Sequence, residues 1–235
     1  MRQGSVSART VWVPASRLDR WITGFIDRHS AQEHQAGGTV SLEGIDGSSA
    51  TVHSPFPIQL SDADGSDADG SDAESRAIFI DHIAHPPRCA VILIRRGGFA
   101  VAIVDAGHIV ASDIGRRHVQ GRSAAGGWSQ QRFARRRLNQ ANTLVDAAVD
   151  YAVRVLLPAS SLAYVVTGGD RPLVEQALEN PRLRALASLP RGPHLEVPDP
   201  RRDVVNRLPE QLASARIDLR EVPTSAPNAG GDPGV

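Results

Sequence analysis

Arg88–Ser112, RCAVILIRRGGFAVAIVDAGHIVAS, is the stretch on which the fold turns. Arg88–Arg95 is a near-continuous apolar run, the pattern of a strand buried on both faces. Gly97-Gly98 makes a tight turn, and Phe99–Asp105 follows as a second apolar run. Ala106-Gly107 turns the chain again into His108–Ser112. Three strand signals joined by two short turns predict an antiparallel meander.

What leaves the end of the meander is different in kind. From Ile114 to Asn142 there are seven arginines (116, 117, 122, 132, 135, 136, 137) and no Asp or Glu. The segment opens as a Gly/Ala/Ser-rich loop, GRSAAGGWS (Gly121–Ser129), and becomes a basic helix. Gln130 and Gln131 sit at the join. The helix is predicted over Gln131–Leu157, where Ala134, Leu138, Ala141, Val145, Ala148, Ala152 and Val155 step by four and three, a stripe expected to be buried. Pro158 ends it. A positive loop feeding a positive helix suits a phosphate backbone, with something presented at the tip.

Further along, Leu162–Thr167 reads as a strand, and Gly168-Gly169-Asp170 leads into a helix with Pro172 in its first turn. That turn has the form of an anion site, although ordinary strand-to-helix turn chemistry accounts for it equally well. Leu183–Leu189 is a helical turn and His194–Val197 a strand. Arg201–Arg216 is an amphipathic helix that Pro209 kinks or splits, and Ile217–Val222 closes as a strand. The order predicts an α/β (α+β) fold: a mixed sheet with a three-strand meander and flanking helices.

Upstream, Thr10–Val13 reads as a short strand ended by Pro14, with Ser16 placed to cap a helix. Leu18, Trp21, Ile22, Phe25 and Ile26 recur at helical spacing. Thr39–Glu43 and Ala50–His53 alternate around Asp46-Gly47, a hairpin signal. Residues 61–75 read SDADGSDADGSDAES, an acidic repeat too polar to bury surface, and lacking the ligand spacing of a calcium loop. Residues 76–85 form a short helix; its His82 and His85 lie three apart, but no third ligand accompanies them. The expected organisation is an N-terminal helix-plus-hairpin unit (1–60), a disordered acidic linker (61–76), a second domain (77–222) and a disordered tail (223–235).

Composition narrows the chemistry. The 235 residues carry 26 basic and 26 acidic side chains. Six acids fall within residues 62–74, so the remainder is basic, concentrated in the loop and helix. Every basic residue is arginine, which excludes a Walker-type phosphate lysine, a Schiff-base lysine and a Ser-Lys dyad. Cys89 is the sole cysteine, so neither a disulfide framework nor a Cys-based zinc site can form. The N-terminus has no signal-peptide core and no apolar run reaches membrane-spanning length, so a cytoplasmic protein without a membrane partner is expected. No metal and no cofactor are expected.

The loop residues Gly126, Gly127, Trp128, Ser129 and Gln130 suggest one kind of chemistry. Glycines let a backbone thread a narrow space. A glutamine side chain both donates and accepts, so it can hold a water beside a carbonyl or phosphoryl group, although it is no general base. Ser129 has no evident His or Asp partner for a triad. A nuclease would need clustered carboxylates, and the sheet region offers mainly Asp105 and Asp113.

GGWSQQRFARRR resembles the catalytic loop of the class I release factors of eukaryotes and archaea, where a Gly-Gly-Gln tip precedes a helix with an Arg-Phe-Ala-Arg segment, here Arg132–Arg135. It is closer to the Vms-like release factors, in particular their actinobacterial peptidyl-tRNA hydrolase branch. The blocks RRGGFAV (Arg95–Val101), VTGGDRP (Val166–Pro172), VPDPRR (Val197–Arg202) and LDRWITGFIDRH (Leu18–His29) share in the likeness. The resemblance implies a release-factor middle-domain architecture, RNase H-like. It also implies hydrolysis of the peptidyl-tRNA ester in the large ribosomal subunit, freeing nascent chains from stalled ribosomes, by a monomer.

In that scheme Gln130, Gly126, Gly127 and Ser129 form the catalytic loop. Arg116, Arg117, Arg122, Arg135, Arg136 and Arg137 meet RNA phosphates, Trp128 stacks on a base, and Arg132 and Phe133 tie the loop to its domain. Alignment on Arg-Phe-Ala-Arg puts Trp128 at the release-factor glutamine, alignment on Ser-Gln puts Gln130 there, and Gln131 is a further alternative. No codon-reading segment is recognisable, which favours rescue over normal termination. The competing class is a non-catalytic ribosome- or RNA-binding adaptor.

Overall fold

The computed structural model describes residues 7–36, 38–58, 72–116 and 129–222, without the side chains of residues 7, 72, 73, 129–134, 136 and 137. It divides into two units, Met1–His82 with Ser214–Val235, and Ile83–Ala213. The acidic repeat through residue 71 and the tail from 223 fall outside the described residues.

The first unit is a five-stranded antiparallel sheet. Strand β1 (Ser7–Pro14) leads into helix α1 (Ala15–His29), followed by β2 (Gln32–Ala36), β3 (Thr39–Glu43) and β4 (Ser49–His53). The helix begins at Ala15, so Ser16 lies inside it and caps nothing; Pro14 takes the cap position. A fixed proline φ prepares the turn into a helix without any side-chain cap. Leu18, Ile22 and Phe25 are fully buried, and Trp21 stacks on Phe25 with ring centroids 5.7 Å apart. Each fully buried side chain of this size contributes about 1.5–3 kcal/mol. Val40, Leu42, Ala50 and Val52 alternate inward from the predicted hairpin.

Strand order here is β1-β10-β4-β3-β2, where β10 is Ser214–Glu221 from the far end of the chain. Val11, Ile217, Val52 and Val40 are successive cross-strand partners. The final strand therefore belongs to the first unit, not to the span 77–222 that sequence order suggests. β2, QEHQA, carries no apolar alternation and gave no strand signal; it is an edge strand specified by its pairing with β3. Helix α2 runs Asp72–Ala84, so helix begins inside the last part of the acidic repeat rather than at residue 76.

The second unit carries the expected meander: β5 (Cys89–Arg95), β6 (Gly98–Asp105) and β7 (His108–Arg116), all antiparallel. Ala106 and Gly107 both take positive φ, 45° and 76°, the conformation a two-residue hairpin turn of matching twist requires. β8 (Tyr164–Gly169) joins β5 in parallel and β9 (Arg191–Leu195) joins β8 in parallel, giving the mixed order β7-β6-β5-β8-β9. Helices α3 (Ser129–Val155) and α4 (Arg171–Leu178) supply the crossovers. Leu144, Ala148, Val149 and Ala152 of α3 pack with Leu173 and Val174 of α4 against Ile92, Ile94, Phe99 and Val101.

A 3₁₀ turn (Pro181–Leu183) and the short α5 (Arg184–Ala187) lead to β9, and α6 (Arg202–Asn206) and α7 (Leu208–Leu212) lie against β7. Pro209 sits in the first turn of α7, and the helix expected over Arg201–Arg216, kinked or split at Pro209, is split into two short ones that end at Leu212.

Candidate nucleic-acid interface

The basic stretch leaves the sheet at Arg116, the exposed last residue of β7. Arg117, Arg122, Gly126, Gly127 and Trp128 lie outside the described residues. The backbone resumes at Ser129, which opens α3. Gln130 and Gln131 therefore both belong to the first turn of the helix, whereas the sequence placed the helix start at Gln131. Glutamine and arginine are good helix formers, and serine tolerates a helix start, so the helix extends two residues toward the glycines.

α3 is 27 residues, about 40 Å at 1.5 Å per residue. Its core contacts are concentrated in its later turns. Among the described residues the first buried one is Leu144. Leu138 is 61% exposed, against the expectation that it belongs to the buried stripe, and Arg135 and Asn139 are exposed as well. Ala141 is only partly buried, whereas Val145, Ala148 and Ala152 are buried as expected. From Arg135 up to Leu144, about 13 Å of helix, the described residues are exposed or half-buried. Arg132, Arg135, Arg136 and Arg137 lie on this leading part, and its first turn carries no acid. With no carboxylate to meet the positive end of the helix dipole, and arginines added to it, this end attracts anions.

The later part of α3 is tied down. Arg154 donates to Asp113 of β7 and lies 4.4 Å from the Tyr151 ring centre, and the carboxylate raises the pKa of the guanidinium further. Tyr151 meets Phe99 edge-on with centroids 4.8 Å apart, and Phe99 in turn covers Gly115 where any Cβ would collide with its ring. Gln176 donates to Asn142, and Arg182 donates to Asp150 at 2.6 Å. The later part of α3 is therefore held against a packed sheet, while Arg135, Leu138 and Asn139 nearer its start are exposed.

Three blocks far apart in sequence converge at the end of the sheet where β7 ends. Arg95 pairs with Gly98, and Gly98 with Arg116, across β5, β6 and β7. Gly169, at φ 91°, lies so close to Ile94 that a Cβ would strike its carbonyl oxygen, and the Asp170 N–H donates to that oxygen at 2.7 Å. Asp199 lies over Gly97, where an added Cβ would come 3.2 Å from its carboxylate. Gly168 is equally closed in by Leu93 and Leu195. The Gly168-Gly169 turn thus serves close backbone packing, with Asp170 at the N-cap of α4. Beside it the Thr167 hydroxyl lies 2.9 Å from His194 Nδ1, with Nε2 3.3 Å from the Gly169 carbonyl. Burial, with Arg171 nearby, holds the His194 pKa below its ordinary value, so it is neutral near pH 7.

The remaining sequence candidates are structural. Asp105 pairs with Arg88 and Asp113 with Arg154, which gives each carboxylate a partner within the protein. Among the described residues no three His, Cys, Asp or Glu side chains are grouped to hold a metal ion, His82 and His85 included. No described helix is long and apolar enough to cross a membrane.

A family model described as the Actinobacteria/chloroflexi VLRF1 release factor matches residues 87–218. No curated protein matches the chain. Among solved structures, the archaeal translation termination factor aRF1 aligns with a TM-score of 0.33 at 11% identity, over 89% of this chain and 68% of that one. A second archaeal protein aligns with a TM-score of 0.28, also at 11% identity, over 90% of this chain and 69% of that one.

Proposed function

Because the chain belongs to the VLRF1 release factor family of Actinobacteria and Chloroflexi, we propose that it is a peptidyl-tRNA hydrolase acting on stalled ribosomes, with Gln130 as its water-positioning residue. The family match spans the loop and α3 and supports a ribosome-related release role. The observation that carries the finer reading is the basic, acid-free start of α3, with Gln130 in its first turn directly after Gly126, Gly127, Trp128 and Ser129.

Peptide release adds one water across one ester. Water oxygen attacks the carbonyl carbon, the carbonyl–oxygen bond to the tRNA ribose breaks, the peptide leaves as a carboxylic acid and the ribose regains its hydroxyl. The protein needs no cofactor for this, only a placed nucleophile and a stabilised oxyanion. The amide of Gln130 holds the water by donating and accepting at once. Gly126 and Gly127 let the backbone enter a confined RNA cavity, and Ser129 starts the helix that aims the amide. The arginines at 116, 117, 122, 135, 136 and 137 neutralise rRNA and tRNA phosphates, Arg132 ties the loop to its domain, and Trp128 stacks on a base. Large-subunit RNA supplies the rest of the site.

The test is peptide release from purified ribosomes carrying stalled peptidyl-tRNA. Gln130→Ala is expected to reduce release to background while ribosome pelleting stays within about twofold of wild type, since one uncharged side chain leaves the phosphate contacts in place. Full activity in Gln130→Ala would reject the assignment, and a loss confined to Gln131→Ala would move it by one residue. An absence of release by the wild type, with binding intact, would instead establish an adaptor.

A further inference from the structure

We infer that the loop-bearing end of the second unit's sheet is an RNA-phosphate docking rim, with Arg95, Arg96 and Arg171 as contacts additional to those of the basic stretch. The inference rests on the release-factor reading for its natural partner, the large ribosomal subunit.

Placement comes first. The register Arg95–Gly98–Arg116 puts the β5–β6 turn in line with the exit of the basic stretch. The close approach of Gly169 to Ile94 and Arg95 brings the start of α4, and so Arg171, to the same end. Arg95, Arg96 and Arg171 are all exposed. They come from three different parts of the chain fold, β5, its turn and α4, yet share one edge with the start of the loop.

Charge balance then distinguishes these arginines from the ion-paired ones of the unit. Arg88, Arg154, Arg182, Arg191 and Arg207 each lie against a carboxylate, at 3.7 Å or less. Arg95 and Arg171 have no such partner among the described residues. Arg96 has only a loose contact with Asp170, 3.7 Å, with its own side chain 72% exposed. An exposed pair of that kind is readily exchanged for a phosphate. The acids at this end are Asp170 beside Arg96, Asp199 over Gly97 in the β5–β6 turn, and Glu196, which follows β9.

The glycines at this end serve packing: Gly98, Gly115 and Gly168 are buried, with Phe99 over Gly115 and Leu93 and Leu195 over Gly168. The exposed guanidinium groups stand at the margin of this packed end, where they can meet phosphates bidentately. The interaction reads charge and shape, not base sequence.

The experiment measures binding of the full chain to purified large ribosomal subunits and, separately, to a short RNA hairpin, across a salt series. Arg95→Glu with Arg171→Glu is the test, Arg95→Gln with Arg171→Gln the milder version, and Arg182→Glu with Arg184→Glu the charge-matched control. Melting temperatures establish that each variant is folded. The rim predicts an affinity loss of about tenfold or more at ~0.1 M salt and a log K against log salt slope shallower by about 2, since each lost phosphate contact removes about 0.9. The control is expected to stay within about twofold. Unchanged affinity and slope in the test variants overturn the rim. If wild type binds the hairpin but not the subunit, the release-factor reading fails, and the rim stands or falls on the hairpin series alone.

Discussion

The single cysteine shows how a side chain's environment decides its chemistry. Cys89 begins β5 with no exposed surface, and its thiol donates to the Pro87 carbonyl at 2.9 Å. Burial, with Asp105 nearby, pushes its pKa up to about 12, so almost no thiolate exists at neutral or mildly alkaline pH. The native protein is expected to resist alkylation by iodoacetamide at pH 8 and to label fully in denaturant. Rapid labelling under native conditions would contradict the packing of β5. Its core position was legible from the apolar run around it. The glycine pairs were read less completely. Gly97-Gly98 does mark a turn, but Gly168 lies within β8 and is small because Leu93 and Leu195 close over it. Sequence composition treats a turning glycine and a crowded one alike. Nor could it choose between Gln130 and Gln131, because both fall in the one helical turn.

At the level of single elements, α3 separates what periodicity reveals from what it leaves out. The four-and-three spacing identified the correct buried face from Val145 onward, but it could not say where the sheet beneath that face stops. Leu138 satisfies the pattern and still stands in solvent. Leu144→Ala is therefore expected to lower stability by about 2–5 kcal/mol, the cost of a cavity in a closed core. Leu138→Ala should stay within about 0.5 kcal/mol, as for other exposed positions. Denaturant unfolding of both variants compares them directly, and equal losses would mean that the leading turns of α3 are packed against something. The meander was legible because its three strands are neighbours in sequence. β2 was not, because a polar edge strand is selected by its partner's hydrogen bonds and by no property of its own residues.

On the scale of the whole molecule, the mixed α/β class and the meander-then-crossover order followed from the sequence, whereas the membership of the last strand did not. β10 reads locally as a strand, but nothing local says that it pairs with β1 and β4, more than 150 residues away in sequence. Removing residues 214–235 is expected to leave the second unit folded and to expose the first to protease, because the sheet loses the strand between β1 and β4. Limited proteolysis with mass spectrometry reads this out, and a first unit that still resists cleavage would contradict the pairing.

The same strand sets a birth order. A nascent chain is released to fold from its N-terminus, yet here the first unit made is the last that can close. Its inward valines and leucines must wait through the whole synthesis of residues 83–213 before Ile217 and Leu219 arrive to cover them. During that interval the early strands present unpaired edges of the kind that chaperones hold. A protein that we propose clears stalled ribosomes would therefore, if stalled in its own translation before residue 214, be left with an open first sheet.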